Sequence, residues 1–403
     1  MTDKNKHIPQ GYKDSPLGVI PKEWAVKRLG DVCDISVGRD VQIDHFNEKE
    51  TDKYRYPVYS NTVEEKGLYG YYDYEEYCSG AVTVVGRGVG LGTSFAREKG
   101  FGAVGRLVVL HPHNCLNNHF LENYINNEVK FFVESAAIPQ LTGEQIATYK
   151  ILVPPLSQQE KMENYINLWD TAIEKQSELI EKLKLRKRAL MQQLLTGKKR
   201  LPGFSGEWKC IKLGEIAERV TRKNEEDNKN VVTISAQRGF VVQTDFFNKS
   251  VASEALDNYF LVLKDEFCYN KSYSNGYPMG AIKRLTAFDK AVVTTLYICF
   301  KLKELSNINI DFFEQYCESG IFNKELVKVA NEGGRAHGLL NVTPSDFFNM
   351  HMRIPNLDEQ NVIATVLVNA DKEIELAHEK LAGLQSQKRG LMQQFLTGKK
   401  RIT

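Results

Sequence analysis

A chain of 403 residues, 42% hydrophobic and 26% charged, has room for two or three domains of ordinary globular composition. It contains no apolar run long enough for a membrane span, and its opening, MTDKNKHIPQGYK, lacks the apolar core of a secretory signal, so a cytoplasmic protein with no membrane partner is expected. The formal net charge of +2 is too small for a protein that coats nucleic acid by charge alone, so local charge has to decide.

The seven cysteines are scattered, odd in number and never spaced CxxC, which favours reduced thiols over a disulfide framework. The first block opens with Glu23, Trp24 and the run Lys27-Arg28-Leu29-Gly30-Asp31-Val32. Tyrosine- and valine-rich runs predict strands near 54–61, 69–74, 81–85 and 102–110, and one or two helices follow around 117–135. Tyr59, Ser60 and Asn61 form either a polar reading loop or a plain turn. Gly86 to Ser94 is a glycine-rich loop leaving a strand. No GK[ST] follows it, so it is not a phosphate-binding P-loop. It reads either as a hairpin connection or as a loop that approaches DNA, with Arg87, Gly88 and Ser94 as contacts. His111, His113, Cys115 and His119 carry metal-ligating side chains, but Pro112 and the short spacing favour a turn; no metal is expected.

From about residue 156 the pattern changes to a heptad. Ile166, Trp169, Ile173, Gln176, Ile180, Leu183, Lys187, Leu190 and Leu194 step by three and four residues. Pro154 and Pro155 precede this helix, Ser157 is its expected N-cap, and Thr196-Gly197 ends it. One apolar stripe on a long helix needs a partner, and the chain carries one at a constant offset of 201: Leu367, Ala370, Ile374, Ala377, Leu381, Leu384, Lys388, Leu391 and Phe395. Asp358 is its expected N-cap. Antiparallel pairing of the two copies gives a pseudo-twofold axis. Lys187 and Lys388 read as seam lysines that snorkel at the helix ends, with a role in register as the alternative.

The second block, from about Trp208 to Pro355, predicts strands at 230–235, 258–263, 266–270 and 291–300 and helices within 309–330. Asn270, Lys271, Ser272, Tyr273 and Asn275, followed by Lys283 and Arg284, interleave basic, aromatic and amide side chains suited to phosphate and base edges. Arg335 and His337 lie in a glycine-rich segment just before the second helix; each is a DNA contact or surface decoration.

Two repeats frame these blocks. Glu23-Trp24…LGDV recurs as Glu207-Trp208…LGEI at an offset of 184, while KRALMQQLLTGKKR at 187–200 recurs as KRGLMQQFLTGKKR at 388–401, identical at twelve of fourteen positions. The second block is therefore seventeen residues longer than the first. Repetition of Met191, Gln192, Gln193 and Leu195 as Met392, Gln393, Gln394 and Leu396 points to two identical partner surfaces, with recent duplication alone as the alternative.

A Trp…[KR]LG[DE][VI] opening, a variable block, a proline step into a long helix and a QQ[LF]LTGK ending, all occurring twice, resembles the specificity subunit of type I restriction–modification systems. The resemblance implies an α+β fold: two target recognition domains separated by two long helices in an antiparallel coiled coil. The expected bounds are 1–155 and 201–355 for the domains, and 156–200 and 356–403 for the helices. It implies double-stranded DNA and two methyltransferase subunits as partners, with restriction subunits where a nuclease is present. S-adenosylmethionine, ATP and Mg are expected on those partners and no cofactor on this chain. The chain itself has no [DN]PP[YF] methyltransferase signature and no Walker A motif, so a non-catalytic subunit is expected. The alternative is a coiled-coil adaptor whose blocks bind proteins.

Overall fold

The computed structural model describes residues 8–132, 140–243, 256–332 and 340–401. The chain divides into two compact units: one runs up to Ser177 and resumes at Lys380, the other spans Glu178–Glu379. Two long helices, Leu156–Leu194 and Leu357–Leu396, each contribute to both units. The units thus cut across the expected boundaries near 156 and 356, because the ends of the helices belong to the cores of the blocks.

The first unit is built on a four-stranded antiparallel sheet in the order Cys33–Val37, Val108–Pro112, Ala81–Val84, Ser94–Arg97. The second carries the same sheet in the same chain order: Ala217–Arg219, Ile298–Leu302, Phe267–Asn270, Ala281–Arg284. In each, a helix packs on the edge strand, Asn118–Glu128 on one and Ile310–Glu318 on the other. Asn117 and Asn309 cap these helices by accepting from the backbone N–H of Phe120 and Phe312. In each unit the strand that follows the tryptophan pairs with the last one, Ala25–Arg28 with Lys150–Val153 and Lys209–Lys212 with His351–Ile354. The two middles, unlike in sequence, therefore share one scaffold. They differ in what is added: a second four-stranded sheet in the first unit, and the pairs Val232–Ser235 with Gly239–Val242 and Phe260–Leu263 with Lys290–Val293 in the second.

Two expected strands are interrupted. The strand expected over 102–110 breaks at Gly105 and Arg106, both at positive φ, into Gly102–Ala103 and Val108–Pro112. The strand over 291–300 splits into Lys290–Val293 and Ile298–Leu302. The helices expected within 309–330 are Ile310–Glu318 and Asn323–Val329, separated at Gly320 with φ +73°.

The paired helical segments run antiparallel within each unit. Tyr165 packs on Phe395 and Asp170 meets Lys388 in the first; Lys187 meets Asp371 and Arg200 meets Glu359 in the second. Every seam position named above is buried or half-buried. Lys187 and Lys388 do not snorkel; each is drawn onto an aspartate of the facing helix, which favours the register role. At the second helix, Asn356 rather than Asp358 caps, accepting from the Glu359 N–H at 2.9 Å. At the first, Pro155 holds the corresponding place, and Ser157 lies inside the helix. Just inside each start a buried glutamine ties helix to block: Gln159 accepts from the Asn117 N–H and donates to Pro154, and Gln360 accepts from the Asn309 N–H and donates to Pro355.

The repeated helix endings face inward. Met392, Phe395 and Leu396 lie in the first unit's core with Ile20, Trp24 and Leu121, while Met191, Leu194 and Leu195 lie in the second's with Leu213, Phe313 and Ile363. Gly197 and Gly398 adopt φ near +70° and close each helix against a tryptophan: a Cβ on Gly197 would lie 3.4 Å from the Trp208 ring, and one on Gly398 would lie 3.3 Å from Trp24 and 2.5 Å from Pro21. The two repeats thus meet each other, ending on opening. This corrects the reading of Met191, Leu195, Met392 and Leu396 as partner contacts, since identical spelling serves an identical intrachain socket. Gln192, Gln193, Gln393 and Gln394 are exposed.

Candidate nucleic-acid interface

The sheet equivalence places two of the sequence-predicted loops in the same position. The Gly86–Thr93 loop joins strands Ala81–Val84 and Ser94–Arg97; the loop from Lys271 to Gly280 joins Phe267–Asn270 and Ala281–Arg284. Both are the hairpin connection at the edge of the shared sheet. The two loops are thus equal in placement and unlike in chemistry.

In the first unit, Asn61 gathers the loops. Its Oδ1 accepts from the Gly86 N–H at 2.8 Å and its Nδ2 donates to the Gly105 carbonyl. Arg106 donates its backbone N–H to the Gly38 carbonyl at 3.0 Å, which brings in the 38–39 turn. Arg39, Lys66, Arg87 and Arg106 are exposed around this cluster, bordered by the exposed acids Asp40, Glu64 and Glu65. Arg39 and Arg106 were not foreseen from sequence; the only signal was the Gly-Arg interruption of an otherwise apolar strand. Tyr59 and Ser60 are half-buried. Tyr59 covers the buried Arg97 guanidinium, 3.4 Å from ring centre to Cζ. Arg97 also donates to Thr83 Oγ1 and, at 2.8 Å, to the Lys66 carbonyl, which holds the 59–67 loop from beneath. Burial pulls its pKa down to about 10, still charged at neutral pH. Ser94 is corrected: it is fully buried, donating to the Glu122 carbonyl, and cannot touch DNA. Among the histidines considered for metal, His111 stacks on Tyr77, His113 meets Asp34 and His119 meets Glu98.

In the second unit, Asn270 donates to the Ile234 carbonyl and accepts from the Ser272 N–H, so it shapes the loop. Gln237 donates to the Asn275 carbonyl at 2.9 Å, joining the 235–239 turn to the same surface. Tyr273, 64% exposed, and Asn275 stand out from it; Lys271 and Ser272 are half-buried, and burial lowers the Lys271 pKa. Lys283 and Arg284 are corrected as free DNA contacts. Lys283 donates to Glu318 at 2.5 Å and lies over the Tyr277 ring, while Arg284 bonds Asp265, Asp311 and Glu314. Arg335 and His337 lie outside the described residues.

Two like-built units, each ending its edge hairpin in a different exposed loop and each braced by antiparallel helices, give the chain the same frame twice with two unlike loops. The family model of the type I restriction modification DNA specificity domain matches twice, over residues 21–185 and 205–386, and the chain belongs to that family. Two putative type I specificity subunits of Mycoplasma pneumoniae are similar at 26% identity over 196 residues and 28% over 167, covering 48% and 40% of this chain. The chain spans about half the length of these relatives, 52% and 54%. The specificity subunit of the type I restriction enzyme MjaVIII of Methanocaldococcus jannaschii is 21% identical over 95% of this chain and 94% of its own. The crystal structure of the S subunit from M. genitalium shares the fold with a TM-score of 0.53 at 13% identity, covering 100% of this chain and 99% of its own. A structure from work on complex assembly and conformational transition of a type I system gives a TM-score of 0.56 at 14% identity, covering 94% and 99%. No helix among the described residues is long and apolar enough to cross a membrane.

Proposed function

We propose that this chain is the DNA-sequence specificity subunit of a type I restriction–modification complex, and that it reads a bipartite double-stranded target in the cytoplasm. The observation that carries this reading is the shared scaffold: the same sheet, in the same order, ends in a glycine-valine loop in one unit and in a tyrosine-asparagine-lysine loop in the other. A constant frame with unlike loops supports two unlike half-sites, with Arg87, Arg106 and Lys271 positioning on phosphates and the loop tips reading bases. The paired helices set the separation of the half-sites, as dimer geometry does in other binders.

On this reading the chain is non-catalytic. Two methyltransferase subunits, and restriction subunits where present, bring the chemistry, together with S-adenosylmethionine, ATP and Mg. The exposed glutamines Gln192, Gln193, Gln393 and Gln394 stay in the proposal as partner contacts, because each pair stands at the same place on its helix.

The test is methylome mapping of a host that expresses the chain with its methyltransferase. A single methylated motif of two defined parts around an undefined spacer is expected. Methylation without sequence preference, or a single continuous motif, contradicts the proposal.

A further inference from the structure

The tip of the first hairpin loop carries Val89, 88% exposed. Below the tip the loop is fixed. Val85 donates to the Thr93 carbonyl and Gly92 to that of Val85, each at 2.8 Å, and Thr93 donates to Gly90 at 2.9 Å. The flanks are equally close-packed: a Cβ on Gly90 would lie 2.3 Å from Val63 Cγ1, and one on Gly92 2.9 Å from the Phe131 ring. Gly88, Gly90 and Gly92 all adopt positive φ, and a Cβ on Gly88 would meet nothing within 4 Å. The loop therefore holds an apolar side chain outward on a preorganised base. A lone exposed valine is ordinary on a surface. This one stands on the hairpin that matches the loop presenting Tyr273, so both edge hairpins end in an exposed, ring- or methyl-bearing side chain.

Resting on the DNA reading above, we propose that Val89 is a specificity determinant of the first half-site that recognises a thymine through its 5-methyl group in the major groove. The residues from Gly88 to Gly92 have no side-chain donor or acceptor, so hydrogen-bond readout by side chains at the tip is closed to them. The thymine methyl is the apolar feature that distinguishes one base in the grooves. Valine is short and β-branched, unlike the longer wedges that unstack base steps from the minor groove. Exposed Arg87, two residues before, is placed for the adjoining phosphate.

The experiment uses the full chain assembled with its methyltransferase subunits. Each thymine of the first half-site is replaced singly by deoxyuridine, which lacks only the methyl, and methylation rates are compared for the wild type, V89G and V89I. One position is expected at which the wild type slows on the order of fivefold, about the worth of one buried methyl. V89G loses that discrimination, V89I keeps it, and substitutions in the second half-site affect all three proteins alike. An unchanged thermal midpoint in V89G excludes misfolding, since the side chain touches solvent. Equal rates on thymine and deoxyuridine at every position overturn the proposal, as does a V89G protein that keeps the wild-type preference. If V89G loses A·T preference while deoxyuridine is read as thymine, Val89 acts as a wedge and the proposal is likewise overturned. A wild-type complex that methylates no defined motif instead removes the underlying DNA reading.

Discussion

Lys187 of the first long helix donates to the carboxylate of Asp371 on the second, and the same contact recurs at the offset of 201 as Lys388 on Asp170. Neither pair is decorative. Lys187 is 15% exposed at the side chain, and the second oxygen of Asp371 accepts from Gln315 Nε2 of the block helix at 2.7 Å. One aspartate therefore locks the register of the helix pair and fastens the second block to it. A double-mutant cycle of Lys187→Met and Asp371→Leu, read by chemical denaturation, is expected to give a coupling of about 1 kcal/mol. Asp371→Leu alone costs more than Lys187→Met, because it strands both the ammonium and the amide.

The glycines that close the two helices are not equally replaceable. Gly197→Ala and Gly398→Ala both place a Cβ at positive φ, a strain of about 1 kcal/mol. At Gly398 the new atom also meets Pro21 at 2.5 Å, whereas at Gly197 its nearest neighbour is 3.4 Å away. Gly398→Ala is expected to lower the thermal midpoint distinctly further. Equal losses would contradict the close packing seen at Pro21.

Arg87 and Arg284 separate binding from stability. Arg87 is exposed, so Arg87→Ala leaves stability within about 0.5 kcal/mol, weakens DNA binding across sequences and lowers the salt slope by roughly one. Arg284 is 14% exposed at the side chain and satisfies three carboxylates, so Arg284→Ala costs about 2–3 kcal/mol. Denaturation and filter binding on both variants check the contrast.

Much of this arrangement is legible in the sequence, and what is not has physical reasons. The heptad seam and the repeat at 201 identify the helices, because periodicity survives any choice of neighbours. Repetition alone does not say which way Met191 or Leu396 faces, since an intrachain socket and a partner surface demand the same constancy. The scaffold equivalence stayed hidden because Ala81–Val84 and Phe267–Asn270 share no residue in register; only strand order reveals it. Lys283 read as a DNA contact because Glu318, which neutralises it, lies 35 residues away.

His119 is expected to make the stability of the first unit depend on pH. It lies 2.8 Å from Glu98 and 3.7 Å from both Glu122 and Glu163, the last on the long helix. The hydrogen bond to Glu122, against the opposing effect of burial, and the charges of Glu98 and Glu163 raise its pKa. A raised folded pKa means that the protonated imidazole stabilises fully below the unfolded value and fades as pH rises through the folded one. The wild type should exceed His119→Gln in thermal midpoint below the ordinary imidazole range, and the gap should narrow as the pH rises through the raised folded value. A constant gap would show that packing, not charge, is what the histidine supplies.

Each block is proposed to read one half of the target on a common frame. Exchange of residues 30–140 for the corresponding block of another member of the family, with methylation mapped in cells that carry the methyltransferase, tests this. One half of the bipartite motif should change, while the other half and the spacer stay as they were. An unchanged motif, or a change in both halves at once, would contradict it.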